Sequence, residues 1–183
     1  MATRPERQIT YDDYVTFPDE PRLEIIEGEA FVVPGANTRH QEIVGRFFLR
    51  LGTFVEVNGG GKVFIPPFDV VLSDIDIVQP DIIFIADDVM DILTDLNVWG
   101  SPSWVVEVLS PSHPERDRKL KLRRYETFHV PEYWIVDPIK ETLSVYRLEG
   151  DSYRAPEVLQ PPDVARPLHP EGFALDLTDL FAR

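Results

Sequence analysis

The sequence predicts an α/β protein in which a mixed central β-sheet is flanked by helices and preceded by an N-terminal hairpin. Three observations predict it. Short β-prone runs recur at 62–65, 68–72, 82–85, 104–109, 133–136 and 143–148. Two long stretches between them carry apolar residues at helical spacing or open with helix-start signals, and Gly, Pro and Asp clusters separate the pieces. Strands interleaved with helices give layered α/β architectures. A chain of 183 residues with 43% hydrophobic content is enough for one domain, with a core over about 20–150 and a C-terminal appendage, 151–183, on the sheet edge.

Thr10 followed by Tyr-Asp-Asp-Tyr reads as a short capped helix with acids in its first turn. Leu23 to Val33 holds two β-prone runs separated by Glu27-Gly28-Glu29, a hairpin in which the glycine supplies a positive φ. Thr38 with Gln41 three residues on resembles a capping box. Ile43, Val44, Phe47, Phe48, Leu51, Phe54 and Val55 then form a helical stripe that ends at Asn58-Gly-Gly-Gly. A helical turn is expected near 89–96. Trp104 to Leu109 reads as a buried central strand. Ser112 with Glu115 opens a second long helix running to about Phe128. Leu177 to Phe181 is a short amphipathic helix.

Eighteen Lys and Arg against thirty-two Asp and Glu give a net charge of −14, which opposes attraction of nucleic acid to the molecule as a whole. Clustered carboxylates are nevertheless what a hard divalent cation requires. The absence of cysteine excludes disulfides, thiolate zinc sites and cysteine nucleophiles, and fits a reducing, cytoplasmic setting. No leader or membrane span is expected. No phosphate loop, GxSxG or zinc spacing occurs.

Glu107 is the most unusual residue, a carboxylate inside an otherwise apolar strand. Desolvating an unpaired charge is very costly, so it must be paired, hydrogen-bonded, protonated or bound to metal. Asp81 stands at the start of another strand, directly after Pro80. Should the two meet, they would repel by about 4 kcal/mol at about 4 Å and a surface-like dielectric, a cost that a divalent cation relieves. Arg116, Arg118, Lys119, Lys121, Arg123 and Arg124 place six cations within nine residues. They form either a solvated face or a row for a nucleic-acid backbone. Asp117, Lys121 and Tyr125 fall at i, i+4 and i+8 along one helix face, which brings an ammonium toward the carboxylates.

These residues, taken in order, resemble the Uma-type restriction endonuclease family of the PD-(D/E)xK nuclease superfamily. The resemblance rests on the Leu23-Glu24-Ile-Ile-Glu-Gly28 hairpin, His40 near a helix start, Pro80-Asp81-Ile-Ile, Val106-Glu107-Val-Leu-Ser110-Pro-Ser, Asp117 with Lys121 and Tyr125, and Glu132-Tyr-Trp-Ile-Val-Asp137-Pro. It implies a restriction-endonuclease-like fold. It also implies Asp81 and Glu107 as ligands of Mg2+ or Mn2+, Lys121 as the catalytic lysine, and a metal-dependent endonuclease that hydrolyses DNA phosphodiester bonds. Glu24, His40, Asp117 and Tyr125 are expected around that site, and cutting both strands implies a homodimer. One departure stands out: Leu109 occupies the position two after Glu107, where the superfamily carries lysine. The basic role then moves to the following helix, with Lys121 or Lys119 as its bearer. The competing reading is a non-catalytic binding or scaffold protein on the same fold, with Glu107 in a structural ion pair.

Overall fold

The computed structural model describes residues 7–110 and 116–182. Helix α1 (Tyr11–Tyr14) is a single turn closed by a Thr10 capping box, in which the Asp13 carboxylate accepts from the Thr10 N–H at 3.1 Å. Strands β1 (Leu23–Ile26) and β2 (Glu29–Val32) make the expected hairpin. Both loop residues are left-handed, Glu27 at φ 55° and Gly28 at φ 79°, as a two-residue hairpin turn requires. A Cβ on Gly28 would also lie 2.5 Å from Gln8 Cβ, so glycine is needed there for space as well as conformation.

Helix α2 (Thr38–Asn58) buries Ile43, Val44, Phe47 and Leu51 along the predicted stripe. Its cap differs from the expectation. Asn37, not Thr38, is the N-cap, and its side-chain oxygen accepts from the His40 N–H at 2.9 Å. Asn is the stronger cap, so Thr38 is drawn inside the first turn.

Next come β3 (Gly61–Phe64), β4 (Val70–Ser73), β5 (Asp76–Val78) and β6 (Ile82–Ala86), a 3₁₀ turn at Asp87–Ile92, β7 (Val98–Trp99) and β8 (Trp104–Val108). The expected capping pair Ser112 and Glu115 lies outside the described residues. The chain then makes a π turn at Arg116–Lys121 before α3 (Leu122–Thr127). Its i→i+5 geometry replaces the regular α spacing expected there. Strands β9 (Glu132–Asp137), β10 (Thr142–Glu149), β11 (Ser152–Tyr153), β12 (Glu157–Leu159), β13 (Val164–Ala165) and β14 (Leu175–Asp176) and helix α4 (Leu177–Phe181) complete the chain.

Two larger sheets organise most of these elements, and β13 and β14 pair with each other as a third. A seven-stranded sheet runs β11-β10-β9-β8-β6-β3, with β12 also on β10, and a five-stranded sheet runs β2-β1-β5-β4-β7. The larger is mixed, with β8 and β9 parallel and β6 and β8 antiparallel. Successive residues of a strand face opposite sides, and the core divides accordingly. Ile82, Phe84, Trp104, Val106, Trp134 and Val136 pack with α2 and α4. Ile83, Ile85, Val105, Tyr133 and Ile135 pack with Tyr125 of α3 and with Ile26, Val70 and Val78 of the smaller sheet. One face of the central sheet is thus covered by helices, and the other by the second sheet together with α3.

The segment after Gly150 edges the sheet through β12. It also sends Ala165, Phe173, Leu175, Leu177, Leu180 and Phe181 into the α2 cluster. Burying large apolar side chains of this kind stabilises by roughly 1.5–3 kcal/mol each. Among the described residues no helix is long and apolar enough to cross a membrane.

Candidate active site

Strand register brings Asp81 and Glu107 together. Antiparallel pairing of β6 with β8 ends at Ile82 opposite Val106, which leaves Asp81, the residue before β6, beside the Glu107–Val108 end of β8. Alternation then decides the face. Glu107 shares the parity of Val105 and projects toward the smaller sheet, whereas the Asp81 side chain reaches His40 at the start of α2. The Asp81 side chain closes the pair, its Oδ2 accepting from the Val108 N–H at 2.8 Å. Like charges brought close on neighbouring strands are destabilising, so each carboxylate needs its own partners.

Glu107 finds them in α3 and the turn before it. Lys121 Nζ donates to Glu107 Oε1 at 2.7 Å, and the Tyr125 hydroxyl donates to the same oxygen at 2.9 Å. Lys121 also reaches Glu24 Oε1 of β1 at 2.7 Å. The three side chains are 3%, 6% and 1% exposed for Lys121, Glu107 and Glu24. Glu24 is fixed in turn by the Gln79 N–H, 2.9 Å from the same Oε1. The ammonium therefore joins a carboxylate of each sheet. Burial, followed by the Glu107 charge, holds the Tyr125 hydroxyl well above the usual tyrosine range, so it stays protonated and donates.

Asp81 also meets the start of α2, where His40 Nε2 lies 3.2 Å from Asp81 Oδ2. With Lys121, these groups line one cleft of about 140 Å3, whose walls include Glu24, His40, Asp81, Glu107, Val108 and Ser110.

Several expected residues thus converge: Asp81, Glu107, Lys121, Glu24, His40 and Tyr125. Lys119, the other candidate lysine, is exposed, whereas Lys121 is buried within the carboxylate pair. Arg124 departs from the expected basic row. It turns inward to Asp76 at 2.8 Å and Glu27 at 2.9 Å and lies over the Phe128 ring. Asp76 is fully buried and binds the nearest cation, which removes Arg124 from the surface. Arg123 remains exposed. The side chains of Arg116, Asp117 and Arg118 lie outside the described residues.

Sequence reasoning missed Gln79 and Asp76. Neither carries a spacing signal, since Gln79 acts on Glu24 through its backbone and Asp76 sits in a three-residue strand.

Among the described residues no group of three or more His, Cys, Asp or Glu is placed to hold a metal ion. A two-carboxylate donor set is still of the right kind for Mg2+. That ion retains several waters and is commonly held by one or two carboxylates plus substrate phosphate. Asp81, 17% exposed, and Glu107 offer such hard oxygens at the wall of a cleft, so the residues fit the group.

The fold and this cleft define a nuclease-fold α/β protein. The chain belongs to the Uma2 family, described as "Putative restriction endonuclease", whose model matches residues 10–178. It is similar in structure to a crystal structure titled "a putative nuclease belonging to DUF820 from Anabaena variabilis". The TM-score is 0.79 at 23% identity, covering 94% of this chain and 97% of that one. At that identity the likeness speaks for the fold. No curated protein matches the chain in sequence.

Proposed function

We propose that the protein is a metal-dependent endonuclease that hydrolyses DNA phosphodiester bonds at the Asp81–Glu107 cleft. The observation that carries this reading is that Asp81 and Glu107 line one cleft, with Asp81 on the Val108 N–H and the Lys121 ammonium on Glu107. Asp81 and Glu107 would hold Mg2+ or Mn2+. When bound, such an ion lowers the pKa of a coordinated water and polarises the phosphate.

The chain's own groups position the rest. Val108 N–H and His40 fix the Asp81 carboxylate, and Tyr125 fixes that of Glu107. Lys121 is held between Glu24 and Glu107, where it offers a preorganised positive charge to a phosphoryl oxygen as negative charge develops. Water attacks phosphorus, the bond to the leaving sugar oxygen breaks, and that oxygen takes up a proton. Two copies, one site per strand, account for double-strand cutting through a closed symmetric pair.

The Lys121–Glu107 contact also suits the second reading, a non-catalytic scaffold that keeps the pair as a structural bridge. Plasmid nicking with Mg2+ or Mn2+ separates the two. The wild-type chain and Lys119→Ala are expected to nick, while Asp81→Ala, Glu107→Ala and Lys121→Ala are not. Nicking that survives Glu107→Ala overturns the mechanism.

A further inference from the structure

Beside the carboxylate cleft lies a second hollow of about 690 Å3, within the range of roughly 300–1,000 Å3 typical of small-ligand sites. Arg22 and Gln79 line both, so the two are adjacent. The walls of the second hollow include Tyr14, Phe17 and Phe68. Phe68 is fixed by stacking on Phe64, with centroids 4.7 Å apart and planes at 20°. Phe17 packs on the small cluster of Ile25, Val71 and Ile77.

A polar group sits among these rings. Asp69 Oδ1 accepts from the Tyr14 hydroxyl at 3.0 Å and from Gln79 Nε2 at 2.8 Å. Both donors take the same oxygen, which leaves Oδ2 as an acceptor with no donor among the described residues. The rim carries Asp19 and Glu20, which repel a phosphate. The hollow therefore suits the uncharged part of a nucleotide. Arg22, at the junction with the carboxylate cleft, has no ion pair among the described residues. In a chain with a net charge of −14, an uncommitted guanidinium beside the site is a ready partner for a phosphate.

We propose that this hollow takes one unpaired guanine base of the substrate strand, with Arg22 on the phosphate that leads from it toward Asp81 and Glu107. Guanine is the common base whose pairing edge presents two adjacent N–H donors, on N1 and N2, matching a carboxylate acceptor. In a duplex that edge is occupied, so the base must be single-stranded or turned out of its stack. Aromatic walls and contacts to the pairing edge are the usual means of holding such a base. The word substrate rests on the nuclease reading; the binding does not.

The test measures binding without cleavage. Fluorescein-labelled trinucleotides TGT, TIT (hypoxanthine in place of guanine) and TTT are titrated into the full chain in EDTA and followed by anisotropy. TGT is expected to bind at least tenfold more tightly than either of the others. Asp69→Asn should abolish that preference, and Arg22→Gln should weaken all three alike. Phe17→Ala, which leaves the polar groups in place, should weaken TGT about tenfold or more through lost stacking. Circular dichroism establishes that each variant is folded. Equal binding of the three probes, or a preference for TGT that persists in folded Asp69→Asn, overturns the proposal; if that variant does not fold, unchanged TGT affinity in Phe17→Ala does so. Plasmid nicking with equal probe binding sinks the guanine site alone, and guanine-selective binding without nicking sinks the nuclease reading alone.

Discussion

His40 Nε2 stands 3.2 Å from Asp81 Oδ2, so the first long helix holds a carboxylate that belongs to the central sheet. A group that orients a metal ligand typically supports metal affinity by about 10–100-fold. His40→Ala is therefore expected to raise the Mg2+ concentration needed for half-maximal nicking by about that factor, with nicking restored at high Mg2+. A variant with the wild-type Mg2+ requirement would mean that Asp81 is held without it.

Lys121→Met leaves Glu24 and Glu107 buried with no ammonium between them. Removing one member of a buried ionic group costs about 3–5 kcal/mol. Urea unfolding followed by tryptophan fluorescence should show a loss of that size. Converting the whole group, as Glu24→Gln, Lys121→Met and Glu107→Gln together, should recover most of it, because no buried charge then lacks a partner.

Arg124→Ala should destabilise the fold by about 3 kcal/mol, since fully buried Asp76 loses its cation. Nicking per folded molecule should be unchanged. Weaker DNA binding by a folded Arg124→Ala protein would place this residue on the nucleic acid after all.

The pH dependence of stability has a defined sign at Glu132, whose carboxyl burial raises above its ordinary value of 4.5. The native state then holds this proton at a pH where the unfolded chain has released it. Stability contributed by the protonated form is complete below 4.5 and is lost as pH rises toward the folded value. Relative to Glu132→Gln, the wild-type chain should lose stability across that interval, as read by urea titrations at successive pH values. A difference that grows in the opposite direction would show that Arg147, 3.1 Å from Glu132, outweighs burial.

Much of the fold was readable because its apolar residues follow a single period over each element. The stripe from Ile43 to Val55 and the run from Trp104 to Val108 are of this kind. The pairing of β6 with β8 was not, because register depends on which strands lie side by side. Asp81 and Glu107 could be nominated separately from sequence, yet the cleft they share became visible only once the strands were paired. The same holds for Arg124. A charge run along a helix does not say which member turns inward, and the answer came from Asp76 in a strand too short to announce itself. The π turn ending at Lys121 had no sequence signature either, although the expected approach of Lys121 and Tyr125 to Glu107 is found.

The Lys121 ammonium touches one carboxylate from each of the two sheets, which makes the site a product of their docking. A chain folded only through its larger sheet would hold Asp81 beside Glu107 but would leave Lys121 without Glu24. Assembly of the N-terminal hairpin is thereby coupled to completion of the charge set in the cleft, and a nascent or half-folded molecule carries an incomplete one.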